Sequence, residues 1–387
     1  MSARGLVVYV PGGRWNGVPG TDRRLVEALA EKVDVLWVEP PASFVTRGAG
    51  AEGGAAPSGV DIVAPGVFRV STRVIPGASR PVLRRMADAA VSRRIRSAIS
   101  TLGSPVFAIV VASPRGSFPE GVDGLRVLYV TDDWPAGAEM MGLARASVIE
   151  GLVDSLRRAD LVAAVTPGLL SEVLKYDERE RRTVVLPNGC VIPPRETGRG
   201  QRRPVAGLVG QLNERLDVDA LEAVQARGIG IVVIGPRTER REDVTRRLDR
   251  FLGLPSVDWL GAVPPASLPA HLAHLSVGLT PYADSPFNRS SFPLKTLEYL
   301  ASGLPVVSTD LPAVRELDTP DISVASDPQD FADQVEAVLT GGPDEAAESR
   351  RRAFAAQHSW GVRAAKLLDE VGVVTPGLGR VDSENPL

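Results

Sequence analysis

Short runs of consecutive apolar residues recur along this chain. Between them lie longer segments whose apolar positions repeat every three or four residues. Leu6–Val10, Val33–Val38, Val106–Ala112, Arg126–Val130, Leu161–Val165 and Thr183–Leu186 are runs of the first kind. They do not alternate with polar residues, so they predict strands buried on both faces of a parallel sheet. The segments from about Thr21 (with Thr21 or Asp22 as the expected cap), over Ser79–Ile99, over Glu150–Arg158 and from Thr166-Pro167 have helical spacing. After the polar stretch Pro193–Pro204 (PPRETGRGQRRP) the alternation restarts. Strands are predicted at Val205–Val209, Ile231–Ile234, Val257–Leu260, Val277–Pro281 and Val306–Val307. Helices are predicted at Asp217–Arg227, Arg237–Leu252, Leu268–Leu275, Phe331–Leu339 and, as one closing helix, Ala353–Val371. Strand–helix alternation of this kind implies an α/β fold of two successive Rossmann-like αβα domains. A ligand crevice is expected where the carboxyl ends of the two sheets face each other across a cleft.

The stretch Ser290–Thr309 (SSFPLKTLEYLASGLPVVST) carries the most chemistry. It reads as loop, helix and buried strand. Pro293 suits a helix's first turn, and Gly303 followed by Pro305 suits its end. Leu294, Leu297, Leu300 and Ala301 form the apolar side. Ser291, Lys295 and Glu298 lie at i, i+4 and i+7 and are expected to share the other face. Free helix N–H groups, two hydroxyls (Ser290 and Ser291) and an ammonium make a seat for phosphate. A carboxylate one turn deeper can accept hydrogen bonds from two ribose hydroxyls. Together these groups could hold a nucleoside diphosphate; the competing reading is an ordinary helix with a solvated Lys–Glu pair.

Other stretches carry weaker signals. The loop PGGRWNGVPG after the first strand lacks both G-x-G-x-x-G and a P-loop Lys-Ser/Thr. Its Gly12 and Gly13 either let a ligand approach the backbone or make a plain turn. Asp132 and Asp133 follow a strand, where α/β proteins place ligand-binding residues. One of them is either a general base toward a hydroxyl or the cap of the next helix. The Ser79–Ile99 helix carries Arg80, Arg84, Arg85, Arg93, Arg94 and Arg96 against the single acid Asp88. That face either rests on anionic lipid or is simply solvated. His271 and His274 lack a supporting acid or cysteine and read as helix-surface residues, so no metal site is expected. Thr46–Pro57 reads as a Gly/Ala-rich loop.

Composition narrows the classes. A chain of 387 residues exceeds one ordinary core, consistent with two domains. Apolar residues make 44% and charged residues 24%, with net charge −3, so no basic field argues for nucleic acid. One cysteine, Cys190, permits neither an intrachain disulfide nor a cysteine metal cluster. No stretch reaches transmembrane length, and the N-terminal apolar run is too short for a signal-peptide core. A cytoplasmic location is expected, at the inner face of the membrane if the basic helix meets lipid.

At these motifs the chain resembles the GT-B glycosyltransferases of the "glycosyl transferases group 1" type, in a bacterial form. The carriers are Ser291–Leu317, Leu208–Val224, Val257–Pro264, Ala159–Gly189 and Val127–Trp134. The resemblance implies an N-terminal acceptor-binding domain (1–193), a linker (194–204) and a nucleotide-sugar-binding domain (205–350). A helix over 351–374 would cross back to the first domain, leaving a tail (375–387). It implies that Glu298 holds the donor ribose, and that Ser291, Leu294 and Lys295 lie at the phosphates. Gly210 would let the phosphates approach, Gly261 would lie near the base, and Gly12 and Gly13 by the transferred sugar. The chain departs from the pattern at three places. Ser290 stands where relatives have a second glutamate, Gln211 takes an arginine position, and Arg215 falls one short of a lysine position. The resemblance implies a metal-independent hexosyltransferase with a nucleotide-sugar as substrate, UDP-sugar favoured, and no separate cofactor. Acceptors in view are a surface polysaccharide, a lipid-linked glycan or a natural product. A sugar-nucleotide epimerase of the same plan and a non-catalytic sugar-binding protein are the alternatives. A dehydrogenase is disfavoured by the missing glycine pattern.

Overall fold

The computed structural model describes residues 4–43, 59–75, 81–194 and 202–373. The expected loop at Thr46–Pro57, most of the linker and the tail lie outside these residues. In the first half the strands are β1 (Leu6–Pro11), β2 (Asp34–Val38), β3 (Ala42–Ser43), β4 (Val60–Ala64) and β5 (Val67–Val70), then β6 (Arg73–Val74), β7 (Val106–Ala112), β8 (Leu125–Val130), β9 (Leu161–Ala164) and β10 (Arg182–Val185). Its helices are α1 (Thr21–Ala30), α2 (Pro81–Leu102), α3 (Arg145–Arg158) and α4 (Pro167–Leu174). The second half has β11 (Val205–Val209), β12 (Gly230–Ile234), β13 (Val257–Trp259), β14 (Val277–Thr280), β15 (Val306–Thr309) and β16 (Ile322–Ala325). Its helices are α5 (Val218–Ala226), α6 (Glu242–Leu252), α7 (Leu268–Leu272), α8 (Pro286–Ser290), α9 (Leu294–Ala301), α10 (Pro312–Arg315), α11 (Pro328–Gly341), α12 (Glu345–Ala356) and α13 (Trp360–Glu370).

Two α/β sheets result, as the hydrophobic runs predict. One has the order β10-β9-β8-β7-β1-β2-β5-β4, the other β13-β12-β11-β14-β15-β16. The six-stranded sheet is parallel throughout. In the eight-stranded one, β1, β2, β5, β7 and β8 run parallel, and β4 pairs antiparallel with β5. The contiguous apolar strands are those buried on both faces: every residue of β1 and β14 is buried.

Contacts divide the chain into two compact units. One is Met1–Leu128 with Arg158–Leu161 and Gly361–Leu387; the other is Tyr129–Arg157 with Val162–Trp360. The C-terminal helix α13 thus belongs, from Gly361, with the first unit, as expected of a returning helix. In the second unit two apolar clusters cover the faces of the six-stranded sheet. One gathers Leu221, Val224, Leu248, Phe251, Phe331 and Val335 from α5, α6 and α11. The other gathers Leu272, Leu297, Tyr299, Leu300 and Ala355 from α7, α9 and α12. Burial of each such Leu stabilises by roughly 1.5–3 kcal/mol, and this fixes α9 against the sheet.

The structure corrects two local expectations. The closing helix is two helices, broken between Ala356 and Trp360. Cys190 N–H donates to the His358 carbonyl at 3.0 Å, so the break is held by pairing with the chain at 190. A Cβ on Gly189 would come within 2.8 Å of the Trp360 nitrogen, so only glycine permits this approach. The second correction concerns α1. Neither Thr21 nor Asp22 caps it; Gly20 is its N-cap, without a side-chain bond. The Asp22 carboxylate accepts instead from Gly12 N–H and from the Tyr9 hydroxyl, each at 2.9 Å.

Candidate functional site

The second unit brings most of the predicted site residues to the carboxyl edge of the six-stranded sheet. Three glycines follow its strands β11, β12 and β13. Gly210, after β11, has φ +148°, and its N–H donates to the Ile234 carbonyl at 2.9 Å. Gly235, after β12, repeats that φ and donates to the Gly261 carbonyl at 2.8 Å. Gly261 sits at φ +68° beyond β13. Gly210 and Gly261 are therefore joined through Gly235. A Cβ at 235 would lie 1.7 Å from the Gly210 carbonyl oxygen, whereas a Cβ at 210 would meet nothing within 4 Å. The backbone at Gly210 is thus open where a side chain would stand.

Helix α9 lies in the connection from β14, the strand beside β11, to β15. It begins at Leu294, with Pro293 as an N-cap that makes no side-chain hydrogen bond. Its first-turn N–H groups thus carry no side-chain cap, and the positive end of its dipole is unopposed by an acid there. Lys295 and Glu298 share a face, as their spacing predicts. Lys295 Nζ donates to Glu298 Oε2 at 2.6 Å, with side chains 25% and 27% exposed. Ser291 does not share that face: it is extended, one residue past α8, and its hydroxyl donates to the Phe287 carbonyl at 2.8 Å. The reason is Pro293, whose ring keeps Phe292 and Ser291 out of the helix. Ser290 ends α8 and is buried, and its carbonyl accepts from the Thr166 hydroxyl at 3.0 Å. Thr166 also caps α4 by accepting from Leu169 N–H at 3.0 Å.

Behind α9 stands Tyr299. Its hydroxyl accepts from Val209 N–H at 2.7 Å and donates to the Gly207 carbonyl at 3.0 Å. Burial pushes that hydroxyl's pKa well above the usual phenol value, so it stays protonated. Its ring fills the space over Gly278, where a Cβ would lie 2.3 Å from the ring. This side chain ties the helix bearing Lys295 and Glu298 to the strand that ends at Gly210.

Arg215 is clamped on the loop after β11. Its guanidinium stands 5.1 Å from the Tyr282 ring centre and 5.0 Å from that of Phe287. Its Nε donates to Asn288 Oδ1 at 2.9 Å, while Asn288 Nδ2 returns a bond to the Arg215 carbonyl at 3.0 Å. Arg215 acts on Asp132. Dense surrounding protein raises the Asp132 pKa above the usual carboxylate value, though some of its surface stays accessible; Arg215 and the Thr131 hydroxyl pull it partly back. Asp133 is raised chiefly by burial as well. Its Oδ1 accepts from Ala136 N–H at 2.9 Å, so it caps a turn.

In the first unit, Gly12 is held by Asp22 as described, and a Cβ on Gly13 would meet nothing within 4 Å. The rest of that loop is anchored through Glu39. Its Oε2 accepts from Trp15 N–H at 3.2 Å and from Trp37 Nε1 at 2.9 Å. Tyr299, Gly235, Asn288 and Thr166 were missed by sequence reasoning. Only a polar-tipped Tyr on the apolar side of a helix, and a glycine ending IVVI, hinted at the first two.

Residues 203–341 match the family model described as Glycosyl transferases group 1. TuaH of Bacillus subtilis (strain 168), which carries the name of a teichuronic acid biosynthesis glycosyltransferase, is 31% identical over 186 residues. That match covers 47% of this chain and 46% of TuaH, so the chain spans about half the length of the curated relative it matches. Among solved structures, an Escherichia coli trehalose-6-phosphate protein bound with UDP-2-fluoro glucose has a TM-score of 0.67 at 15% identity, covering 96% of this chain and 100% of that one. Sucrose-phosphate synthase from Thermosynechococcus elongatus has a TM-score of 0.66 at 15% identity, covering 95% and 98%. These identities speak to the fold. This chain therefore carries a glycosyl transferases group 1 domain, over residues 203–341, on a GT-B fold.

Proposed function

We propose that this chain is a glycosyltransferase that moves a sugar from a nucleoside-diphosphate donor, most simply a UDP-sugar, to a hydroxyl of a glycan acceptor. The observation that carries the reading is the start of α9. An N-terminus without a side-chain cap presents Lys295 and Glu298 side by side, at the same sheet edge as the open backbone of Gly210. Diphosphate oxygens suit the N–H groups and the ammonium, and ribose hydroxyls suit the carboxylate. As the glycosidic bond breaks, charge grows on the departing diphosphate. Lys295 and the helix dipole stabilise it without reorganising. Asp132 has a pKa raised above the ordinary carboxylate value by burial and is suited to receive the acceptor's proton. Asp133 is assigned to shaping the turn that follows β8. The first unit, with its Gly12–Gly13 loop, is assigned to the acceptor.

The name of TuaH supports a surface polysaccharide as the acceptor class. The UDP-sugar named with the Escherichia coli structure supports a UDP-linked donor. The test is UDP release from a panel of UDP-, GDP- and TDP-sugars, with and without glycan acceptors, in buffer containing EDTA. Acceptor-dependent release from a UDP-sugar is expected. Turnover of the donor without any acceptor would favour the epimerase, and sugar binding without nucleotide affinity would favour a binding protein.

A further inference from the structure

An open cavity of about 470 Å³ in the first unit is lined by Ser71, Thr72, Arg73, Arg93, Arg94 and Ser97, with Ala90 at its wall. Ser71–Arg73 follow the carboxyl end of β5, and the other residues come from α2. Because β5, β2 and β1 run parallel, this is also the edge of the sheet from which the Gly12–Gly13 loop leaves β1. Ala90, Arg93 and Ser97 are spaced i, i+3 and i+7, so one stripe of α2 forms the wall.

The cavity's charge is uncompensated. Among the described residues, none of Arg73, Arg93 or Arg94 has an ion-pair partner and no carboxylate lines the cavity. Neighbouring arginines have acceptors, one a carboxylate and one a carbonyl. Arg69 pairs with Asp61 at 3.1 Å, and Arg96 donates to the Glu120 carbonyl at 2.7 Å. Arg94 is also seated. A Cβ on Gly59 would fall 1.5 Å from its Nη2, so glycine there, at φ +67°, lets the guanidinium lie on the backbone. Three arginines and three hydroxyls lining one cavity without a carboxylate match a dianionic oxyanion, which can accept from several donors at once.

We propose that this cavity is a binding site for a phosphate or pyrophosphate group carried by a ligand of the first unit. The ligand is distinct from the nucleotide assigned to α9, and its binding does not require that the chain transfer a sugar. The test is calorimetric titration of the full chain with inorganic pyrophosphate. It is done in a Lys295→Ala background, so that the α9 seat does not contribute. Arg73→Ala and Arg93→Ala remove exposed side chains without a partner, so the fold should survive each, as circular dichroism would verify. Each is expected to weaken pyrophosphate binding three- to tenfold, and the Arg93→Ala/Arg94→Ala pair by more. In hydrogen exchange, pyrophosphate should slow the backbone at 71–75 in the parent and not in the pair variant. No binding by the parent at millimolar pyrophosphate, or equal binding by all variants, overturns the proposal. So does capture by phosphatidylglycerol vesicles without affinity for pyrophosphate, which would mark α2 as a lipid-surface contact.

Discussion

Lys295 and Glu298, one turn apart on α9, are bonded to each other at 2.6 Å. The two groups assigned to the phosphates and the ribose thus hold one another. Each would exchange its partner for a substrate group: the ammonium for diphosphate oxygen, the carboxylate for ribose hydroxyls. A partly exposed i, i+3 pair on a helix contributes only about 0.2–0.5 kcal/mol to stability. Its loss should therefore be visible in binding and nearly invisible in folding.

Lys295→Ala checks this directly. Melting temperature should move by no more than 1–2 °C, because less than about 1 kcal/mol is at stake. UDP affinity should fall by at least about tenfold, since a charge-assisted hydrogen bond to phosphate is worth roughly 1.5–3 kcal/mol. Unchanged affinity in a titration would remove Lys295 from the phosphate site.

Tyr299→Phe deletes one oxygen from the wall behind α9. It strands Val209 N–H and the Gly207 carbonyl, both of which bond to that oxygen. Leaving buried groups unpaired costs about 1–3 kcal/mol, which denaturant unfolding would measure. UDP affinity should fall as well, because the tie between α9 and the strand ending at Gly210 is cut. A variant of native stability would show that water replaces the hydroxyl without cost.

Asp132→Asn has a pH signature. Its folded-state pKa lies above the ordinary carboxylate value, so the native state binds the proton more tightly than the unfolded chain does. The ionised group therefore lowers stability as pH rises from the ordinary carboxylate range through the raised value. Below that range it contributes nothing. Asparagine cannot ionise, so the variant should melt higher than wild type at pH 7, with the advantage shrinking as pH falls toward 4. Transfer activity should drop by about a hundredfold or more if Asp132 takes the acceptor proton. Full activity would leave the carboxylate a purely structural place.

Gly235→Ala and Gly210→Ala separate two uses of glycine. Both positions have φ +148°, but only the Cβ at 235 collides, 1.7 Å from the Gly210 carbonyl. The 235 variant should be the less stable of the two in thermal unfolding. It should also lose more UDP affinity, because it displaces the Gly210 backbone. The opposite order would mean that the side chain at 210 enters the ligand's space.

Much of the fold could be read from local pattern. LVVYV, VFAIVVA and LVAAV are strands because a parallel sheet buried on both faces needs uninterrupted apolar runs. The short edge strands Val60–Ala64 and Ile322–Ala325, and Val67–Val70 beside the first, were not legible, since partly exposed strands lack that run. At the site, Lys295 and Glu298 followed from helix spacing. Ser291 did not, because spacing counts residues and ignores where proline lets the helix begin. The Tyr299, Asn288 and Thr166 bonds link residues far apart in sequence. No local signal carries such pairings.

The most direct test of the donor seat is the affinity of the full chain for UDP, measured by calorimetry with Glu298 intact and as Glu298→Gln. The carboxylate is assigned to two ribose hydroxyls, so the isosteric amide should bind UDP at least about tenfold more weakly while folding normally. Equal affinities, or no UDP binding by the unaltered chain, would contradict the assignment of α9 to the nucleotide.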